Sequence, residues 1–217
     1  MSETTGAMLP NNRVLRYNFR ERMVHWTAGI SYVYLLMTGL AFWTPWLFWM
    51  AVALGGGAVS RMLHPWAGLI FTFAVILMYG MWSTQMRESA ADKAWWDSIN
   101  NYITNQDEKM PPVGRFNGGQ KLLFWGFFWC GVALLLTGIV LWLPQSFPAV
   151  VRQIAIFVHA AAALITIGLF MLHVYMGAIF EKGAFDAVIR GDVSAAFASE
   201  HHRLWFDEIA RETSAKR

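Results

Sequence analysis

Four stretches of this chain, near residues 24–43, 62–85, 119–143 and 154–180, are apolar over about 20 residues or more, the helical length that crosses roughly 30 Å of hydrocarbon. Hydrophobic residues make up 56% of the 217 positions and charged residues 14%, against about 25% charged in soluble domains. The chain is therefore read as an all-α membrane protein, a four-transmembrane-helix bundle. Pro45 and Pro144 close the first and third stretches, because proline has no amide hydrogen and clashes with the preceding turn. Residues 46–54 (WLFWMAVAL) are too short to span and rich in Trp, as an interfacial segment is. Gly55-Gly56-Gly57 breaks the chain before Arg61. The expected domains are a polar N-terminal segment 1–22, a transmembrane domain 23–181 with a polar connection 86–118, and a polar tail 182–217 with a surface helix. No signal peptide is recognised in residues 1–22, so the first span directs insertion. No internal repeat or low-complexity segment is evident.

Charge sets the orientation. Of 17 Lys and Arg, all but Arg61 and Arg152 fall in the N-terminal flank, the 86–121 connection or the tail, which lie on one side of four antiparallel spans. By the positive-inside rule that side is the cytoplasm, and both termini are there. The pI of about 9.2 is thus a matter of topology, and a nucleic-acid partner is excluded.

Four of the six histidines lie in or at the edge of the apolar stretches: His25, His64, His159 and His173. Ionisable rings in hydrocarbon are costly and mark functional sites facing the bundle interior. His159 and His173 are 14 residues apart, and 14 steps of about 100° come within roughly 40° of four full turns, so they share a helix face about 21 Å apart. Depth pairs His64 with His159 at the outer level and His25 with His173 at the inner level. Two pairs of imidazoles, stacked at two depths, suit two haems. Cys130 is the sole cysteine, which leaves no C-x-x-C-H attachment and no cluster ligands. The haems are therefore b-type, with the four histidines as axial ligands to iron.

Glycines clear space for a flat macrocycle or let helices approach: Gly29, Gly68 and Gly177 each follow a candidate ligand by four positions, and Gly39 lies 14 residues after His25, at the outer level. Arg22 and Arg61, three residues before ligands, are candidate propionate partners. His201 and His202, in the hydrophilic tail, are read as solvated or partner-contacting.

These residues resemble the cytochrome b (gamma) subunit of respiratory formate dehydrogenases over about residues 13–209. The resemblance is carried by Arg22-Met23-Val24-His25-Trp26-Thr27, Arg61-Met62-Leu63-His64-Pro65-Trp66-Ala67-Gly68, Arg115-Phe116-Asn117-Gly118-Gly119-Gln120-Lys121, Val158-His159-Ala160-Ala161-Ala162 and Leu172-His173-Val174-Tyr175-Met176, with His201-His202 and Trp205 in the tail. The wider superfamily includes the cytochrome b subunits of nickel–iron hydrogenases and thiosulfate reductases. The resemblance implies a multi-pass protein of the bacterial inner membrane holding two b haems. It also implies a quinone site (menaquinone or ubiquinone) formed by Asn117, Gly119, Gln120 and His173. An iron–sulfur (beta) subunit and a pterin-containing catalytic (alpha) subunit are the implied partners, beside membrane lipid. Electrons then run from the periplasmic partner through the His64/His159 haem and the His25/His173 haem to quinone at the cytoplasmic side. Formate is oxidised in the partner, not in this chain. From the residues alone, Asn117 and Gln120 can donate to a quinone carbonyl, but ordinary helix capping is the favoured reading, Asn117 being a good N-cap residue for the third span.

The alternatives are the cytochrome b subunit of a nickel–iron hydrogenase or other periplasmic oxidoreductase, and a haem-free transporter or anchor. The transporter reading calls for broken helices or acidic residues within the spans, which are not visible.

Overall fold

The computed structural model describes residues 5–215, so residues 1–4 of the N-terminal segment and the basic Lys216 and Arg217 of the tail lie outside the described residues. The chain is mostly helical: α1 Phe19–Trp43, α2 Trp49–Ala53, α3 Gly57–Trp82, α4 Ala90–Asp97, α5 Ile99–Ile103, α6 Gly118–Trp142, α7 Ala149–Tyr175, α8 Ala184–Ile189, α9 Ala195–His201 and α10 Arg203–Ala215. Helix α7 runs on into a π-turn, Met176–Phe180. Short strands β1 Met8–Leu9, β2 Arg13–Leu15 and β3 Asp192–Ser194 complete the elements.

Two of the long helices are built to one local plan. Asn18 caps α1 by accepting from the Glu21 amide at 2.9 Å, while Glu21 returns a bond to the Asn18 amide at 2.9 Å. Asn117 and Gln120 make the same reciprocal box at the start of α6, at 2.9 and 3.1 Å. Each box satisfies two amides that the first helical turn leaves open. Both helices are 25 residues long, and both end in a Trp followed by a 3-10 turn opened by Pro45 or Pro144. The match extends along the sequence: Arg16/Arg115, Asn18/Asn117, Leu35/Leu134, Thr38/Thr137, Gly39/Gly138, Trp43/Trp142 and Pro45/Pro144 keep one offset. The chain therefore does contain an internal repeat, contrary to the expectation from sequence. It is masked because the matched positions are scattered among many unlike residues.

The chain divides into two compact units. The first comprises Met23–Gly80 and Gly126–Leu172. Its centre is the Tyr32 ring of α1, which meets Phe71 of α3 at 5.8 Å, Phe127 of α6 at 6.0 Å and Phe170 of α7 at 4.9 Å. Around it the buried positions are small, among them Ala28, Ala41, Ala74, Ala155, Ala162 and Ser60, which let helix backbones approach. The large apolar side chains point outward instead, as Ile70, Phe73, Ile76, Trp129, Phe157 and Ile165 do.

Among the described residues, three helices are long and apolar enough to cross a membrane: Gly57–Trp82, Gly118–Trp142 and Ala149–Phe180. Only 11–17% of their most apolar stretches is buried within the protein, so most of that apolar surface faces outward. Such a surface suits hydrocarbon and not water. Helix α1 is the fourth long helix; its polar Ser31, Tyr32 and Thr38 are buried, while Ile30 and Val33 are exposed. Two bounds differ from the sequence expectation. Helix α3 begins at Gly57, because the break is made by Gly55 and Gly56 with φ of +97° and +96°. Helix α7 begins at Ala149, directly after Pro148.

The second unit comprises the N-terminal residues to Arg22, Met81–Trp125 and His173 onward. Here the N-terminal segment and the tail are one structure. Strand β2 pairs antiparallel with β1 (Met8 opposite Val14) and with β3 (Arg13 opposite Ser194, Leu15 opposite Asp192). Arg13 and Asp192 add an ion pair at 2.8 Å. The core below joins Val14, Ala187, Val193, Ala198, Trp205 and Ile209. The tail is thus three helices and a strand packed on a core, not a polar segment with one surface helix.

Candidate functional site

In the first unit, His64 and His159 are held in matching ways. His64 Nδ1 lies 2.6 Å from Thr38 Oγ1, and His159 Nδ1 lies 2.9 Å from Thr137 Oγ1. Each threonine hydroxyl also meets a carbonyl one helical turn back, Tyr34 O at 2.8 Å and Ala133 O at 2.6 Å. A carbonyl only accepts, so the hydroxyl hydrogen goes to it, and the threonine oxygen then accepts from the ring. Both rings therefore carry hydrogen on Nδ1 and present an unprotonated Nε2, the form that ligates a metal. The residue after each threonine is glycine. A Cβ on Gly39 would stand 3.8 Å from His64 Cε1, and one on Gly138 3.6 Å from His159 Cε1. Cε1 adjoins Nε2, so both glycines leave open the space beside the ligating edge. The two rings are also near enough to interact electrostatically.

His25 lies in the second turn of α1, within the first unit, with Trp26 edge-on to its ring at 5.8 Å. His173 opens the C-terminal part of the second unit, where it lines a cavity of about 120 Å³. Asn117 and Gln120 line the same cavity, as do Tyr102 and Glu181. Because their carbonyl oxygens are engaged in the helix cap, the NH₂ groups of Asn117 and Gln120 are left outside it, that of Asn117 toward the Tyr102 hydroxyl. The cap is therefore present, and it leaves the NH₂ groups outside its own bonds.

Gly119 does not line the cavity. A Cβ there would meet Trp95 Cη2 at 3.0 Å, and one on Gly118 would meet Trp95 and Trp96 at 2.9 Å, so this pair lets two indoles rest on the first turn of α6. Nothing lies within 4 Å of a Cβ on Gly29 or Gly177, and Gly68 meets Leu35 at 4.0 Å. Arg22 donates to the Ile189 carbonyl at 2.6 Å, and Arg61 lies exposed in the first unit.

Charge in the second unit is handled by pairing. Burial alone would raise the Glu21 carboxyl, but the charge of Arg115 at 2.8 Å, the Trp82 indole and the Asn18 amide together hold it below the usual carboxylate range. Arg16 and Arg115 donate to each other's carbonyls, a reciprocal bond between equivalent positions of the repeat. His202 is 2% exposed and bonds Gly114 O through Nδ1 at 2.9 Å. Burial first, then the nearby Arg16, pushes its ring well below the ordinary histidine value. This overturns the reading of His202 as solvated; packing against the Pro111–Phe116 segment encloses it.

Residues 16–191 match the family described as prokaryotic cytochrome b561. The chain belongs to that family. Among its relatives, the nitrate-inducible formate dehydrogenase cytochrome b556(Fdn) subunit of Escherichia coli (strain K12) is 31% identical over 212 residues, covering 96% of this chain and 97% of the relative. The formate dehydrogenase cytochrome b556(fdo) subunit of the same strain is 30% identical, covering 96% and 99%. The formate dehydrogenase cytochrome b556 subunit of Haemophilus influenzae is 29% identical over 201 residues, covering 91% and 84%.

A cytochrome b of this family implies a b-type haem, and the residues of the first unit fit one. Two tautomer-fixed imidazoles with open Nε2 atoms, each flanked by a glycine, form a bis-histidine donor set. The sequence reading missed Thr38 and Thr137. Their signal was available in the repeated Leu-Leu-x-Thr-Gly of residues 35–39 and 134–138. It also missed Tyr102 and Glu181, for which no local signal exists.

Proposed function

We propose that this chain is the membrane cytochrome subunit of a formate dehydrogenase complex of the bacterial inner membrane. It conveys electrons from a periplasmic iron–sulfur partner, itself fed by a pterin-bearing catalytic partner, to quinone at the cytoplasmic face. In this reading α1 is the fourth span, its polar residues turned inward, and both termini are cytoplasmic, as the basic flanks require. The cytoplasmic segment 1–22 and the tail 182–217, which pack as one structure, flank the transmembrane domain 23–181 with its 86–118 loop. Two b haems are held, one by His64 and His159 and one by His25 and His173; the second pair rests on sequence register and family membership. When bound, a b-type haem supplies one-electron Fe(III)/Fe(II) chemistry.

The observation that carries the reading is the pair of matched Thr–His bonds, since a histidine kept only for packing needs no fixed tautomer with a glycine beside its free nitrogen. The residues divide the work. Thr38 and Thr137 orient the outer ligands and raise their basicity. Asn117 and Gln120 hold NH₂ donors toward a quinone carbonyl, with His173 on the same cavity wall. Quinone reduction on the basic side consumes cytoplasmic protons, and each charge moved across 100 mV stores about 2.3 kcal/mol.

The test is stoichiometry and donor together. Acid–acetone extraction of the purified chain should release all its haem, about two per polypeptide for four axial ligands. His64→Ala and His159→Ala should remove one spectral component, and His25→Ala and His173→Ala the other. In membranes, formate should reduce both components. One haem per chain, or loss of the same component in His64→Ala and His25→Ala, refutes the pairing. Reduction by hydrogen and not by formate assigns the chain to a hydrogenase instead.

A further inference from the structure

The cavity of the second unit has a polar wall that the quinone ligands do not account for. Tyr102, on α5, is clamped between Trp95 at 5.0 Å and Phe180 at 5.7 Å, which fix its ring. Its hydroxyl shares the cavity wall with the Glu181 carboxylate and the Asn117 amide, both close enough to act on it. Burial, and then the Glu181 charge, raises its ionisation above the ordinary tyrosine value. The hydroxyl thus keeps its proton until a strong base arrives.

Glu181 reaches this position through the π-turn. In an unbroken α-helix, eight steps of about 100° would leave Glu181 some 80° from His173; the one extra residue of a π-turn removes about 100° and returns it to the same side. Both residues line the cavity. Behind Glu181, His201 Nδ1 stands 3.4 Å from Glu181 Oε2, their side chains 17% and 15% exposed. His201 Nε2 in turn lies 4.0 Å from Glu200, whose side chain is 59% exposed. Glu181 and His201 are thus enclosed to nearly the same degree, and Glu200 stands at the solvent edge. The other charged or titratable groups on this cavity are Arg16, Tyr17, Asp107 and His202. His202 is committed through Nδ1 to Gly114 O, and Arg16, on the same cavity, donates to Arg115 O.

We propose that Tyr102 is the proton donor to the quinone, resupplied from the cytoplasmic solvent through Glu181 and His201. The inference rests on the quinone reading of this cavity. Overall, one quinone takes two electrons from the b-type haem chain and two protons. At each transfer the Tyr102 O–H bond breaks as an O–H bond forms on a reduced quinone oxygen. The His201 imidazole takes a proton from solvent and passes it to the Glu181 carboxylate, and the carboxyl so formed passes it to the phenolate. Tyr102, Glu181 and His201 end each cycle as they began.

The test uses the intact complex with a short-chain quinone. Tyr102→Phe keeps the ring in its clamp and removes only the hydroxyl; Glu181→Gln is the independent second variant. Both should retain the haem spectrum, haem reduction by the donor, and KM for quinone. In each, kcat for quinone reduction should fall by about 10²-fold, the low end of what a positioned acid contributes. The Glu181→Gln rate should recover as imidazole buffer is added, because a diffusible acid replaces the lost relay. Unchanged kcat in both variants, or a rise in KM without a fall in kcat, overturns the relay. Asn117→Asp separates the two layers of the argument. If it weakens binding of a quinone analogue while Tyr102→Phe leaves kcat intact, the quinone site stands and the relay fails. If Asn117→Asp leaves analogue binding unchanged as well, the cavity is not the quinone site.

Discussion

Replacing Thr38 or Thr137 by valine removes one hydroxyl from the first unit at nearly constant volume, and the consequence follows from the geometry of the two Thr–His bonds. At 2.6 and 2.9 Å, each hydroxyl oxygen accepts the Nδ1 hydrogen of its histidine. With valine, that buried N–H is left unpaired, at a cost of about 1–3 kcal/mol. The loss bears unequally on the two oxidation states. An imidazole that donates through Nδ1 is the more electron-rich ligand and favours the ferric iron. If the bond favours the ferric state two- to tenfold, its loss raises the midpoint potential by about 20–60 mV at 59 mV per tenfold for one electron. Metal-site partners of this kind also cost about 10–100-fold in affinity when removed, so some outer haem should be lost on dilution.

Potentiometric titration of the purified protein, read in the visible haem bands, measures the shift. One component should move upward and the other stay fixed. Thr38→Ser and Thr137→Ser, which keep the oxygen, should leave the potential within a few millivolts of wild type, on the order of a tenth of the valine effect. The two threonines serve different histidines, so the double valine variant should show about the sum of the single shifts. Full haem content with unmoved potentials in both valine variants would refute the assignment of Thr38 and Thr137 as orienting groups.

Two further outcomes are expected. Asn117→Asp and Gln120→Glu keep the cap oxygens and remove the NH₂ donors, so helix content and haem should persist while quinone-analogue affinity drops about 2–13-fold, the worth of a 0.5–1.5 kcal/mol bond; Asn117→Ala should also cost about 1 kcal/mol of stability through the lost cap. His202 is held neutral when folded, its ring value depressed by burial, so the unfolded state gains a proton first as pH falls. Stability of the tail core should therefore decline once pH drops through about 6.5 and keep declining toward the folded value, above the range below about 4.5 where Glu21 begins to lose its contribution. Limited proteolysis of α9 and α10 between pH 7.5 and 5 reads this; His202→Asn, which retains a donor for Gly114 O, should flatten the profile, and a wild-type profile already flat would refute it.

What could be read from the linear chain are the properties that a residue carries with it. An apolar run of about 20 residues, a proline at its end and a histidine within it each have a free-energy cost that depends little on neighbours, so the long helices and the four candidate ligands were legible. Asn117 three residues before Gln120 is equally a local signal, and the reciprocal cap it announces is formed. The internal repeat was present in the letters but scattered among unlike residues. The tertiary structure decided whatever depends on a partner distant in sequence. Thr38 and His64 stand 26 residues apart, and Thr137 and His159 stand 22 apart. The N-terminal strand finds its partner in Asp192–Ser194 of the tail, and that pairing, with the packing of Trp205 and Ile209, buries a histidine that reads as hydrophilic. The π-turn was equally invisible, because one extra residue in a helical turn changes no composition; it changes only the direction in which Glu181 leaves the helix.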